Sequence, residues 1–357
     1  MKLSIKILIC VLAFFIFLAA VIFVMSLLKT DGGENTTTDP DIGLEEDTLG
    51  PPIEFADEDD LDFVLINGGK EYAVLCLSDA EGAAHITIPE KHNDKPVTAI
   101  CNGAFTGDSN LVELFIPDSV IYIGTNAFSS CPNLTDLTIS DNLIYLGMGA
   151  FGDCAGLVYK EYGNAYYLGD KNEPYMILTY VKNRQIKSCE IHPDTKIICE
   201  SAFADCVDLE TVTMPDSLVY IGTDAFSGCL SLEYSAKDES ASYLGNENNP
   251  YLVCVKGNSK RTATSYTIQE GTKIIVPYAF RDCPQLTHVK LPSSLSLIGK
   301  YAFTGCDKLV GVDFTALSDW SVISDNNVYE ANVFPSNSEH IVKLFTEVHP
   351  DSAWVKQ

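Results

Sequence analysis

The sequence predicts an all-β repeat solenoid built on a curved parallel sheet and preceded by one N-terminal transmembrane helix. Three observations predict it. An Ala-Phe dipeptide ends at Phe105, Phe128, Phe151, Phe203, Phe226, Phe280 and Phe303, at intervals of 23, 23, 52, 23, 54 and 23 residues, so a 23-residue unit is interrupted twice. Ahead of each Phe but the first, by fourteen and twelve residues, stands an apolar pair two residues apart, the period of one face of a strand. A run of 22 residues, Ile7 to Leu28, has Ser26 as its only polar side chain.

That run comes first in the chain. At about 1.5 Å rise per residue it is long enough, as a helix, to cross a hydrocarbon layer roughly 30 Å thick. Lys2 and Lys6 precede it and only Lys29 follows, which places the N-terminus in the cytoplasm and everything beyond Lys29 outside. The alternative is a cleaved secretory signal, whose apolar stretch is usually about 7 to 15 residues long. Either reading exports the rest of the chain. From Thr30 to Asp62 there is no basic residue and there are thirteen carboxylates, half of the net charge of −26. With Gly32, Gly33, Pro40, Pro51 and Pro52 interspersed, the segment is a self-repelling linker. It lacks the alternating ligands and central Gly of a calcium loop. The excess of 49 acidic over 23 basic residues excludes nucleic acid as a partner, since phosphate binding draws on clustered Lys and Arg.

Within the repeat, the inward pairs are Leu114 and Ile116, Leu137 and Ile139, Cys189 and Ile191, Val212 and Met214, Tyr266 and Ile268, Val289 and Leu291. Pro117, Pro193, Pro215 and Pro292 follow closely and end the strand. Gly124, Gly147, Gly222 and Gly299, four residues before a Phe, mark a recurrent turn. Three residues after each Phe but the first stands Cys131, Cys154, Cys206, Cys229, Cys283 or Cys306, and six after each stands a Leu. One such unit cannot bury its apolar side chains alone. Stacking does so, at roughly 1.5 to 3 kcal/mol for each large side chain removed from water.

Units such as LVELFIPDSVIYIGTNAFSSCPNL, TVTMPDSLVYIGTDAFSGCLSL and HVKLPSSLSLIGKYAFTGCDKL resemble the BspA-like leucine-rich repeat family, over about Ala84 to Phe314. The resemblance implies a right-handed leucine-rich repeat solenoid with short helical turns, on a secreted or surface-attached protein used for adhesion or other protein binding. It implies neither catalysis nor a cofactor. This chain departs from the pattern at Asp108, which stands where later units have Cys, and at an extra loop around Lys91 to Lys95.

The two long intervals resemble one another: YYLGDKNEPYMIL from Tyr166 and SYLGNENNPYLVC from Ser242 align through Gly169 and Gly245, Pro174 and Pro250, Tyr175 and Tyr251. Each reads as a hairpin, added to the sheet or packed on its flank. Its loop, Asp170 to Glu173 or Asn246 to Asn249, is either a spacer that widens the array or a contact surface. The repeated cysteines share the period of Phe and Leu and are expected inside as free thiols. Adjacent turns would still allow pairing of Cys131 with Cys154, Cys206 with Cys229 or Cys283 with Cys306. No Cys-x-x-Cys or His-Glu-x-x-His spacing points to a metal, and no Gly-x-Ser-x-Gly elbow or phosphate loop points to catalysis. His192, beside a strand-ending Pro, is expected to be a turn residue.

The chain thus divides into 1–29, a cytoplasmic tip and signal anchor; 30–62, the acidic linker; 63–314, the solenoid with its N-terminal cap; and 315–357, a C-terminal cap rich in aromatic residues. In each unit the residues between and before the inward positions must face away from the core. They are Glu113 and Phe115, Asp136 and Thr138, Thr211 and Thr213, His288 and Lys290, with Tyr159 and Tyr234 at the matching places before the inserts. Aromatic residues on such a face would be the anchors of an interface. The expected function is that of a membrane-anchored extracellular binding or adhesion module for a protein or glycan at the cell surface. An exported enzyme or carbohydrate-processing accessory with a site in the inserts, and a structural cell-envelope spacer, are the alternatives.

Overall fold

The computed structural model describes residues 55–56, 60–77, 83–235, 241–257, 262–314, 320–323, 329–331, 338–343, 345–346 and 351–356. The apolar run Ile7 to Leu28 and most of the acidic stretch lie outside them, and among the described residues no helix is long and apolar enough to cross a membrane.

Each regular turn has three sides. A strand such as Glu113–Phe115 comes first, with Leu114 and then Ile116 buried, and Pro117 turns the chain. A two-residue strand, Tyr122–Ile123, follows. A corner at Ala127 and Phe128 then leads through Cys131 to Leu134, all of them buried. The expected single curved sheet is therefore two ladders. The second was hidden because two residues are too few to show a period.

The first ladder runs in parallel through Phe55–Ala56, His85–Thr87, Glu113–Phe115 and Asp136–Thr138, with His85 opposite Glu113 and Glu113 opposite Asp136. It resumes as Ser188–Glu190 with Thr211–Thr213, and again as Ser265–Thr267, His288–Leu291 and Gly311–Phe314. The second ladder follows Lys95–Ile100, Tyr122–Ile123 and Tyr145–Leu146, then Ile177–Val181, Ile197–Ile198 and Tyr220–Ile221, then Val253–Gly257, Ile274–Ile275 and Leu297–Ile298. Ladder order starts earlier than the expected linker boundary at Asp62, because Phe55–Ala56 pairs with His85–Ile86 and Leu61–Ile66 pairs with Glu71–Leu77.

The breaks fall at the inserts. Each is a hairpin: Ala165–Leu168 with Ile177–Val181, and Ala241–Leu244 with Val253–Gly257, both antiparallel. Their loops are tied down internally, since Asp170 Oδ1 accepts from the amides of Asn172 and Glu173, and Asn246 Oδ1 from those of Asn248 and Asn249. Lys196 reaches Glu173 at 2.8 Å and Asn249 Nδ2 donates to Gly271 O at 2.7 Å, so both loops also brace the next turn. The extra loop in the first unit is a tight hairpin between Lys91–His92 and Lys95–Ile100, with Asn93 and Asp94 both left-handed.

The corner supplies the third set of contacts. Alternate amides donate to the next turn, Asn126 to Met148 O, Phe128 to Ala150 O and Ser130 to Gly152 O, at 2.7 to 2.9 Å. Residues two before and two after each repeat Phe are left-handed, as at Asn126 (φ 55°) and Ser130 (φ 60°). Rings stack beneath them: Phe105 on Phe128 at 5.1 Å, Phe128 on Phe151 at 5.3 Å, Phe203 on Phe226 at 5.1 Å and Phe280 on Phe303 at 5.3 Å. Phe226 is only half-buried, whereas Phe151, which also precedes an insert, is buried. The thiols of Cys131, Cys154, Cys229 and Cys306 each donate to the carbonyl of the preceding turn's Phe, at 3.0 to 3.2 Å, and no cysteine of this column is in a disulfide.

The recurrent glycines act by contact rather than by turn geometry. A Cβ at Gly124, Gly147, Gly222 or Gly299 would collide with the backbone of the preceding turn at Asn102, Thr125, Glu200 or Pro277. At the C-terminal end, Ala353–Lys356 pairs antiparallel with Leu297–Ile298 and with Trp320–Ile323, burying Trp320 and Trp354. Phe345 stacks on Phe303 at 5.5 Å.

Candidate functional site

The face drawn from the sequence is the outside of the first ladder. Glu113, Phe115, Asp136, Thr211, Thr213, His288 and Lys290 are exposed there, Phe115 by 43%, and Thr138 is half-buried. His85 Nδ1 lies 2.6 Å from Glu113 Oε2 across the strand pair. The strip is polar and is broken into three sheets by the inserts.

Tyr159 and Tyr234 do not stand on it. After Leu157 the chain leaves the repeat to form Lys160–Tyr162, which pairs antiparallel with the insert. Both tyrosines are consequently half-buried against the core. Tyr159 packs on Tyr180, ring centroids 6.1 Å apart, and Lys256 Nζ sits 4.2 Å over the Tyr234 ring. Burial pushes the Tyr159 hydroxyl up to about 12 and raises that of Tyr234. His192 is a turn residue, with Nδ1 accepting from the Asp194 amide at 3.2 Å and the ring stacked on Tyr175 at 4.0 Å.

A second location draws residues from turns far apart in sequence. Lys300 is buried, and its Nζ lies 5.1 Å from the centre of the Tyr145 ring, a cation–π contact across most of the array. Tyr145 also meets Tyr220 at 4.8 Å. Turns stacked in a straight line could not bring these three together, so the array is curved, with this part of the second ladder on its inner side. The result is a cup of about 330 Å³ with Tyr145, Tyr220 and Lys300 among its lining, and Asn102, Thr125, Glu200, Tyr278 and Tyr301 around them. Tyr278 and Tyr301 stack face to face, 5.0 Å apart and 2° from parallel. Burial, then the neighbouring Tyr301, raises the Tyr278 hydroxyl.

The backbone of that pair is informative. Tyr278 (φ 62°) and Tyr301 (φ 57°) are left-handed, at the corner position that Gly103, Asn126, Gly149, Ser201 and Asp224 occupy in other turns. Small or polar residues suit this conformation, whereas a bulky one holds about 1 to 3 kcal/mol of strain. Two aromatic residues placed there against local preference present their rings at the cup. The sequence carried this signal, as tyrosine two residues before a repeat Phe where every other turn has a small residue. Position alone did not say that the column faces inward. Among the described residues no group of His, Cys, Asp or Glu is arranged to hold a metal ion.

Stacked two-strand turns closed by a Phe-anchored corner, with a polar outer strip and an aromatic cup, define a leucine-rich repeat solenoid. The profile of the BspA type leucine rich repeat region matches in 6 copies over residues 78–166, 179–248 and 258–341, and the chain belongs to that family. Among solved structures it is similar to the leucine rich repeat protein TpLRR of T. pallidum, at 20% identity over 72% of this chain and 91% of that one, TM-score 0.33. It is similar also to a leucine rich cell surface protein of Faecalibacterium prausnitzii A2-165, at 24% identity over 74% and 77%, TM-score 0.29. The pneumococcal vaccine antigen PcpA matches at 16% identity over 72% and 80%, TM-score 0.25. No curated protein matches the chain.

Proposed function

We propose that this chain is a membrane-tethered extracellular binding module whose repeat domain engages a protein or glycan at the cell surface, and that the inward cup is its principal contact. The observation that carries the reading is the pair Tyr278 and Tyr301, held left-handed and stacked at the mouth of a cup that also contains Lys300 and Glu200. Aromatic faces combined with a few placed polar groups recognise flat or amphipathic ligand surfaces. The apolar run before an acidic linker supports the tether, and membership of the BspA type family supports a surface setting.

The test replaces Tyr278 and Tyr301 with Asn, which the same corner position already accepts at Asn126. Full-length protein is incubated with cell-surface and matrix preparations, and captured partners are compared with those of Tyr278→Asn/Tyr301→Asn. Capture lost in a variant that folds normally supports the cup. Undiminished capture removes the cup and turns attention to the outer strip around Phe115. Turnover of a captured substrate would favour an enzyme instead.

A further inference from the structure

Each corner that is followed directly by another repeat turn has its alternate amides occupied by that turn. Ser201, Phe203 and Asp205 donate to Thr223, Ala225 and Ser227 carbonyls, and Tyr278, Phe280 and Asp282 to those of Lys300, Ala302 and Thr304. The two corners that precede an insert differ. The insert hairpin rejoins the stack without an Ala-Phe corner, so the amides of Gly149, Phe151 and Asp153 have no hydrogen-bond partner among the described residues, nor do those of Asp224, Phe226 and Gly228.

Each orphaned row lines a cavity. Gly149 to Asp153 form one wall of a cleft of about 410 Å³ whose other side includes Tyr159, Thr179 and Tyr180. Asp224 to Gly228 line a cleft of about 330 Å³ with Tyr234, Val255 and Lys256 opposite. Both volumes lie in the range of about 300 to 1,000 Å³ usual for binding pockets. The clefts are equivalents of each other in the two halves of the array. At the second, Leu230 is 84% exposed and Phe226 is left half-buried, an apolar surface with an unpaired donor row beside it.

The fold displays what fits such a row. In every regular turn the occupant is a polypeptide corner that offers three alternate carbonyls and lays a Phe ring on the Phe below, as Phe226 does on Phe203 at 5.1 Å. At the last corner of the array the chain's own C-terminal segment seats Phe345 on Phe303. We propose that the two clefts are docking sites for a corner-forming segment of a partner protein, which completes the missing rung by accepting hydrogen bonds from three alternate amides and laying an aromatic ring beside the buried Phe151 or on the half-buried Phe226. Recognition of this kind takes affinity from the main chain and selectivity from the ring pocket. The cup borders both clefts, sharing Leu146, Met148 and Glu200 with the first and Gly222 and Tyr278 with the second, but the proposal rests on the amide rows and not on the cup.

The experiment is amide hydrogen exchange on the full-length protein, with the peptide Gly-Thr-Asp-Ala-Phe-Ser-Gly as probe. That peptide is this chain's own Gly222 to Gly228, whose carbonyls already close a corner at Ser201 to Asp205. Without peptide, Gly149, Phe151 and Asp153 are expected to exchange at least about tenfold faster than Asn126, Phe128 and Ser130. Saturating peptide should slow the first set by about tenfold, and the peptide with Ser in place of Phe should not. In Thr179→Trp, which fills the first cleft, protection should vanish at Gly149 to Asp153 and persist at Asp224 to Gly228. Three results overturn the proposal. Full protection without peptide, independent of concentration, means that another part of this chain covers the row. Protection that grows with protein concentration means a second copy does. No protection at saturating peptide means that the row takes no such segment.

Discussion

Truncation of the repeat phenylalanines separates a ring inside the stack from one at its end. Phe128 is fully buried and lies between Phe105 at 5.1 Å and Phe151 at 5.3 Å. Removing a fully buried Phe costs about 3 to 5 kcal/mol, and each aromatic pair adds about 0.5 to 1.5 kcal/mol beyond its area. With two pairs lost and backbone on both sides unable to close the gap, Phe128→Ala belongs at the upper end, about 5 kcal/mol. Phe226 has one ring partner, Phe203, and one side open to a cleft. Part of its surface never left water and the hole it leaves is already solvated, so Phe226→Ala should cost about 2 kcal/mol. Urea denaturation gives the two midpoints, and hydrogen exchange shows where each loss is felt. Because turns couple to their neighbours, Phe128→Ala should raise exchange from Phe105 to Phe151 and leave Phe280 to Phe303 unchanged. Equal losses in the two variants would refute the reasoning, since they would mean that the inserts do not interrupt the stack.

Gly147→Ala should destabilise by about 3 kcal/mol because its Cβ meets the Thr125 backbone, whereas Gly68→Ala, left-handed at φ 63° but in open space, should cost about 1 kcal/mol; similar melting shifts would contradict the contact argument. Burial pushes the thiols of Cys189 and Cys229 up to about 11 from an ordinary value of 9.0, so the folded protein holds these protons harder than the unfolded chain does. Stability from this source is complete below pH 9 and declines as pH rises through 11; pH-independent urea midpoints between 8 and 11 would refute it. Iodoacetamide at pH 8 should accordingly leave both cysteines unlabelled until urea unfolds the domain. Protease added to intact cells should release the repeat domain while a tag before Lys2 stays protected, and medium containing protein that begins near Ser26 or Lys29 would show a cleaved signal instead.

What could be read in advance was whatever repeats. Leu114 and Ile116, the Ala-Phe corner and the Cys column recur at a fixed period, and a stack imposes nearly the same environment on every copy, so burial followed from spacing except at Phe226, beside an insert. The second ladder did not follow, because Tyr122 and Ile123 make a strand too short to show alternation. The glycine column was visible but not its cause, which is a neighbour's backbone and not the residue's own φ. Tyr159 and Tyr234 were misplaced for a related reason. Counting along the repeat put them on the outer face, but Lys160–Tyr162 no longer belongs to the repeat and pairs antiparallel with a segment whose direction the period does not give. The contact of Lys300 with Tyr145 depends on how sharply the stack bends, a property that no window of sequence contains.

The two clefts have one origin. A regular turn contributes a strand to each ladder and a corner to the Phe stack. An insert contributes Ile177–Val181 or Val253–Gly257 to the second ladder and nothing to the corner. Val181 and Gly257 donate to the carbonyls of Ala202 and Ala279, and thereby occupy one of the three corner bonds on the far side while leaving the near side open. Tyr145, Tyr220 and Lys300 meet across the array, and the missing corners open as clefts at Phe151 and Phe226. By breaking the repeat twice in the same way, the inserts leave two matching lateral clefts among the described residues.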